Sequence, residues 1–127
     1  GKPQRSGRLL SRRLGECEPL LNLLRQAHNL GRRIAAICAA PAVLVKAGIT
    51  ANRRITCHPG AMDHMVNVQF QTHRVVTDGN IVTSRAAGTT FEFAFELIEH
   101  LCGKSKVKEV NRGVLAILPD YLPELMS

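Results

Sequence analysis

Four cysteines and five histidines carry most of the nucleophilic, redox and metal-binding capacity of this chain. One cysteine is set apart by its surroundings. The apolar run Ile34-Ala35-Ala36-Ile37 stops at Cys38, and Ala39-Ala40-Pro41 then opens a helical pattern. A strand that turns sharply into a helix presents one side chain at the bend, as in the nucleophile elbow of hydrolases, here with Cys in place of Ser. A thiol at a helix N-terminus lies at the positive end of the peptide dipoles, which favours thiolate. The plainer reading is that free cysteine, among the most buried residue types, simply packs. On this stretch alone both readings stand.

The other thiols are Cys17, Cys57 and Cys102, and no two of the four are spaced as CxxC. This is neither a disulfide scaffold nor a zinc ribbon. We expect free thiols in a reducing compartment, cytoplasmic or, given the Arg-rich start, mitochondrial. Cys57 closes the β-rich run Arg54-Ile55-Thr56-Cys57 and is followed by His58-Pro59. His58 is the best proton carrier by chemistry, since imidazole titrates near neutrality. Cys57 is either a resolving thiol or core. A metal held by Cys38, Cys57, His58 and His64 has no zinc-like spacing behind it. Gly88-Thr89-Thr90 is not part of a GxxxxGK(S/T) loop, so nucleotide binding is unsupported.

The elements that must position these residues follow from pattern. Residues 1–15 form a basic, irregular segment without a core stripe. A helix is predicted from Glu16 to Leu30, with acidic residues and Pro19 in its first turn and Gly31 after its end. His28 is read as a surface residue. Ile34–Ile37 reads as a fully buried parallel strand, followed by a helix from Pro41 to Ala47 ended by Gly48. Arg54–Cys57 is a second strand. Residues 60–73 form a short helix or an irregular loop. Arg74–Thr77 and Ile81–Ser84 flank Asp78-Gly79-Asn80 as a hairpin. Thr89 and Glu92 match a capping box for a helix ending at Gly103, with Phe91, Phe95 and Ile98 in the core. A polar, exposed helix over 104–111 follows, and then a last strand at 114–118. Helix-connected strands imply a parallel sheet covered on both faces.

Length and composition agree with one globular domain: 127 residues, 45% hydrophobic and 21% charged. Few aromatics and no Trp argue against a stacking surface for single-stranded nucleic acid. No apolar run reaches the length of a membrane span. The net charge of +7 sits at the front: residues 1–33 carry eight Lys/Arg against Glu16 and Glu18, and the remainder is nearly neutral. We read that basic front as a solvated terminus, with no nucleic-acid or membrane partner expected.

Three segments together resemble the ThiJ/PfpI superfamily, in its DJ-one (parkinsonism-associated deglycase) branch. They are Ala35-Ala36-Ile37-Cys38-Ala39-Ala40-Pro41, Thr56-Cys57-His58-Pro59, and Asp78-Gly79-Asn80 through Thr83-Ser84-Arg85 to Gly88-Thr89-Thr90-Phe91-Glu92-Phe93-Ala94. The resemblance implies a flavodoxin-like, three-layer α/β sandwich with a mostly parallel sheet, and a homodimer. It implies Cys38 as catalytic nucleophile and oxidation-sensitive thiol, with His58 close by. Gly1, Ala39, Arg85, Gly88 and Thr89 would border the substrate pocket. The implied activity is cofactor-free glyoxalase III or deglycase chemistry on methylglyoxal-like aldehydes, with oxidative-stress sensing and chaperone action attributed to the same branch. Ala39 stands where the PfpI-type peptidases place a His, which weighs against a peptidase.

The family also begins with a strand and an early glutamate that hydrogen-bonds the cysteine, and these residues contain no counterpart. Gly1-Lys2-Pro3 is then the remnant of the family's Pro-Gly-Gly turn. Residues 16–127 are expected to be the C-terminal portion of the domain, with a sheet incomplete at its N-terminal side and an unpaired edge on Ile34–Cys38. On that reading turnover is weak or absent. A redox sensor or an inactive fragment is the alternative to an enzyme.

Overall fold

The computed structural model describes residues 2–116, with side chains from residue 9 onward. In chain order its elements are α1 (Lys2–Gly15), α2 (Glu18–Asn29), β1 (Ile34–Ile37), α3 (Pro41–Ala47), β2 (Arg54–Ile55), a 3-10 turn (Pro59–His64), β3 (Gln69–Phe70), β4 (Val75–Asp78), β5 (Ile81–Ser84), a 3-10 turn (Ala87–Thr89), α4 (Thr90–Cys102) and α5 (Lys104–Val114).

The main sheet has the order β1-β5-β4, with β1 parallel and β4 antiparallel to β5. A smaller parallel pair, β2-β3, lies beside it. Two of the three pairings are therefore parallel. Among the described residues β1 is an edge strand. Ile34, Ala36 and Ile81 face one side and join Leu21, Val43, Leu44, Ala47, Ile49 and Ile55 in the principal core. That side is covered by α2 and α3, while α4 covers β4 and β5 on the other. This is the flavodoxin-like α/β arrangement in three layers.

The strand β1 is not buried throughout. Ala35 is exposed and Ile37 half-buried, because both point to the side where α4 lies over β5 and β4. The short, continuous run hid that asymmetry, since every residue in it is apolar.

The first fifteen residues correct the expectation of an irregular segment: residues 2–15 are helical. Arg, Lys and Leu are good helix formers, and Leu14 packs on the principal core while Gly15 rests against Lys46 of α3. Leu9 and Leu10 stay exposed, which is why no core stripe was visible. Further on, α5 is not simply exposed, for Val107 is 2% exposed and packs on Phe95. It also runs to Val114, so the start of the expected strand 114–118 is helical instead; residues 117–118 lie outside the described residues.

Four described glycines lie at positive φ, Gly31, Gly48, Gly79 and Gly103, and two of them shape the elements around the site. Gly48 ends α3 in the left-handed region at φ 78. Gly79, at φ 60, turns the β4–β5 hairpin, and a Cβ there would sit 2.8 Å from Arg53 Nη1. The arginine tip can move, but the backbone strain cannot be relieved. Gly79→Val is expected to cost about 1–2 kcal/mol, seen as a lower urea midpoint with an unchanged slope.

Candidate active site

The elbow forms at the C-terminal end of β1. Cys38 has φ 66, one of four described non-glycine residues at positive φ. Such a conformation is uncommon outside glycine and is held only when the surroundings over-determine it. Here two long-range hydrogen bonds do so. The Cys38 N–H donates to Ser84 O at 3.1 Å, continuing the β1–β5 ladder by one residue. The Cys38 carbonyl then accepts the His58 N–H at 2.8 Å. Cys38 thus links the ends of β5 and of the β2 segment. Its side chain is half-buried, while Ala39 turns inward against Cys57 and Ala61.

His58 caps the following 3-10 turn. Its Nδ1 accepts the Gly60 N–H at 2.9 Å. In the neutral ring that leaves the proton on Nε2, so His58 is set up as a donor. Cys57 is fully buried, and its thiol donates to His58 O at 3.2 Å. Burial pushes this thiol up from 9.0 to about 11; the Arg85 guanidinium opposes the shift, and the neighbouring Cys38 adds to it. Native Cys57 therefore holds its proton more tightly than the unfolded chain does. Its contribution to stability is complete below pH 9 and is lost as pH rises through about 11. Melting temperatures between about pH 8.5 and about pH 11 should fall more steeply for the native chain than for Cys57→Thr.

Arg85 closes the region from the β5 side. Its Nε donates to Cys57 O at 3.1 Å, and its guanidinium lies 5.9 Å from the centre of the Phe70 ring. Thr89 is buried, and its Oγ1 accepts the N–H groups of Arg85 and Ala86. That hydroxyl also contacts Ser84 Oγ at 2.6 Å. The expected capping box is therefore absent, because the Thr89 hydroxyl is used in the loop behind it. Glu92 is engaged elsewhere, in an ion pair with Arg74 at 2.7 Å. Gly88 is exposed, and its carbonyl accepts from Arg74 Nη2.

Cys38, Ala39, His58, Arg85 and Thr89 are thus brought into one connected region, through backbone as much as side chains. Gly88 adjoins it on the Arg74 side, and Gly1 lies outside the described residues. Ser84 was missed as a site residue. Its carbonyl accepts the Cys38 N–H, and its Oγ donates to Arg74 O at 2.7 Å. A serine ending an apolar strand was the available signal. His28 is not a plain surface residue either: its Nδ1 lies 3.2 Å from Asn80 Nδ2, fastening α2 to the hairpin. Among the described residues no three His, Cys, Asp or Glu side chains converge as a metal site would require, and no helix is long and apolar enough to cross a membrane.

A flavodoxin-like sandwich with a strained cysteine at the C-terminal end of β1 defines the class, and the sequence pattern of the DJ-1/PfpI family matches residues 6–100. The chain belongs to that family. The match begins inside α1, ahead of the boundary expected at residue 16.

The dj-1beta protein of Drosophila melanogaster is 43% identical over 107 residues, covering 83% of this chain and 57% of that protein. Its crystal structure superposes with a TM-score of 0.81 at 42% identity, covering 85% of this chain and 59% of that one. A glutathione-independent glyoxalase of Caenorhabditis elegans is 37% identical over 100 residues, covering 77% of this chain and 53% of its own length. A deglycase of Pyrococcus abyssi is 34% identical over 86 residues, covering 66% of this chain and 52% of its own length. The chain spans little more than half the length of these relatives.

Proposed function

We propose that the chain carries the thiol centre of a cofactor-free glyoxalase or deglycase, with Cys38 attacking the aldehyde carbon of methylglyoxal-like 2-oxoaldehydes or their adducts. The observation that carries this is the elbow: a half-buried thiol at φ 66, with its N–H tied to β5 and its carbonyl to the segment that follows β2. Strain retained at one non-glycine residue, and paid for by two long-range bonds, is characteristic of functional positions. The names of the nematode glyoxalase and the archaeal deglycase support the substrate class.

In this reading the Cys38 thiolate adds to the aldehyde to give a hemithioacetal. A base must then take the proton from the former aldehyde carbon to give an enediolate, and protonation of the neighbouring carbon leaves a thioester that water hydrolyses to the hydroxy acid. His58, with its proton on Nε2, is the proton donor this chain offers. Arg85 and Thr89 border the site, and the peptide N–H groups of the elbow would face developing negative charge.

The test is lactate formation from methylglyoxal by the purified chain, without glutathione or metal. Cys38-dependent lactate supports the reading, and its absence while Cys38 still reacts with iodoacetamide rejects it. His58→Gln is expected to lower kcat about tenfold to a hundredfold, at the low end of general acid–base effects, with KM little changed. Oxidative-stress sensing through the same thiol is the second reading, favoured by the proximity of Cys57.

A further inference from the structure

We propose that Cys38 and Cys57 form a reversible intramolecular disulfide when the chain meets a hydroperoxide. The proposal rests on Cys38 being the reactive thiol, and not on the aldehyde chemistry.

The geometry starts from the backbone. The bond from His58 N–H to Cys38 O, at 2.8 Å, sets the two cysteines side by side on adjacent segments. Neither cysteine lies in a strand, but one peptide hydrogen bond between Cys38 O and the N–H following Cys57 holds their Cα atoms within roughly 7.5 Å, overlapping the roughly 4.4–6.8 Å range that a disulfide spans. The Cys57 side chain shares a small apolar cluster with Ala39 and Ala61, so it packs against the residue next to Cys38. The Cys57 thiol donates only to His58 O at 3.2 Å, a weak sulfur bond that rotation about χ1 would give up. Exposure sets the order of events. Half-buried Cys38 is open to a dissolved oxidant, whereas Cys57 is 0% exposed.

The Cys38 thiolate attacks one oxygen of the hydroperoxide. The O–O bond breaks, the alcohol (or water) leaves, and the sulfur is oxidised by two electrons to sulfenic acid. The Cys57 sulfur then attacks the Cys38 sulfur. The S–S bond forms, the S–O bond breaks, and the hydroxide leaves as water with the Cys57 proton. Two thiols and one hydroperoxide thus become a disulfide, an alcohol and water, and a dithiol reductant reverses the change. Burial slows the second step, because Cys57 must give up its proton to attack. The charged and titratable groups acting on Cys57 are Arg85, which eases that loss, and Cys38, which opposes it until it is oxidised to the sulfenic acid. The linked form should therefore accumulate faster at pH 9 than at pH 7 (by roughly tenfold per unit at most).

The experiment is peptide mapping of the full chain by mass spectrometry, without reduction, after one equivalent of hydrogen peroxide and blocking of remaining thiols. A peptide joining Cys38 to Cys57, lost with dithiothreitol and diminished by the sulfenic-acid trap dimedone, is the expected result. In Cys57→Ser one equivalent should instead leave Cys38 as the dimedone-trappable sulfenic acid, and a second equivalent should carry it to the sulfinic acid. Because that variant could fold poorly, the dimedone competition on the native chain is the second measurement. Oxygen added to Cys38 while Cys57 stays alkylatable after unfolding overturns the disulfide and leaves Cys38 as the nucleophile. A Cys38 link to Cys17 or Cys102 also overturns it. Failure of Cys38 to oxidise at all overturns this proposal and the reactive-thiol reading together.

Discussion

Cys38→Ser should abolish lactate formation from methylglyoxal, by about a thousandfold or more, because a hydroxyl at this position has no base assigned to activate it. The loss should come without unfolding. Serine is nearly the same size, it keeps both backbone bonds of the elbow, and it tolerates φ 66 no worse than cysteine does. A companion variant separates strain from chemistry. Cys38→Gly removes the thiol and also the steric cost of the left-handed conformation, which is about 1 kcal/mol. Because the side chain is only half-buried, little packing is lost with it. We therefore expect an inactive variant that melts at or above the temperature of the native chain. Stability gained while activity disappears is what a strained functional residue predicts. A Cys38→Gly variant that is markedly less stable would show that the thiol is a packing element, and would remove the main physical argument for the site.

The largest expected effect on stability is at Phe95. Its ring is 2% exposed and packs on Val107, with Ile98, Val110 and Ala116 around it. Phe95 is therefore the contact that seats α5 on α4. Phe95→Ala should cost about 3–5 kcal/mol, combining lost burial with the cavity left behind. A chain of this size typically has about 5–15 kcal/mol in total. Urea unfolding followed by circular dichroism would measure the change. Phe91→Ala is the control: Phe91 is 55% exposed, so its loss should fall within about 0.5 kcal/mol. Equal effects at the two positions would mean that α4 sits on the sheet with a different face from the one described.

That pair of phenylalanines shows how far pattern reading reaches. Phe91, Phe95 and Ile98 lie at helical spacing, and the sequence places all three on one apolar face. The helix is real, and Phe95 and Ile98 do turn inward, but Phe91 stands in the first turn, before α4 has packed on its neighbours. Periodicity reports a face, not how far along the helix a partner extends. Thr89 and Glu92 fail as a capping box for a related reason. The motif describes an exchange of hydrogen bonds with the helix's own first turn, and here the loop over 84–86 just behind it claims the Thr89 hydroxyl while the distant Arg74 claims Glu92.

The sequence alone determined the strand Ile34–Ile37, its break at Cys38, the helix opening at Pro41, the hairpin around Gly79 and the helix that follows it. Each is governed by interactions within a few residues: apolar runs, proline at a first turn, glycine at positive φ. The motif segments also carried the family. Tertiary structure decided what lies against Cys38. Ser84 and His58 are far from it in the chain, and only the register of β1 on β5 and the end of the β2 segment bring their backbone groups to the elbow. The same holds for α1, whose first residues read as a loose basic arm until Leu14 and Gly15 found α3 and the core. Local propensity follows from covalent geometry and neighbouring side chains, so it is legible one stretch at a time. The strain at Cys38 persists only because two distant segments hold it, and that depends on how the whole sheet closes.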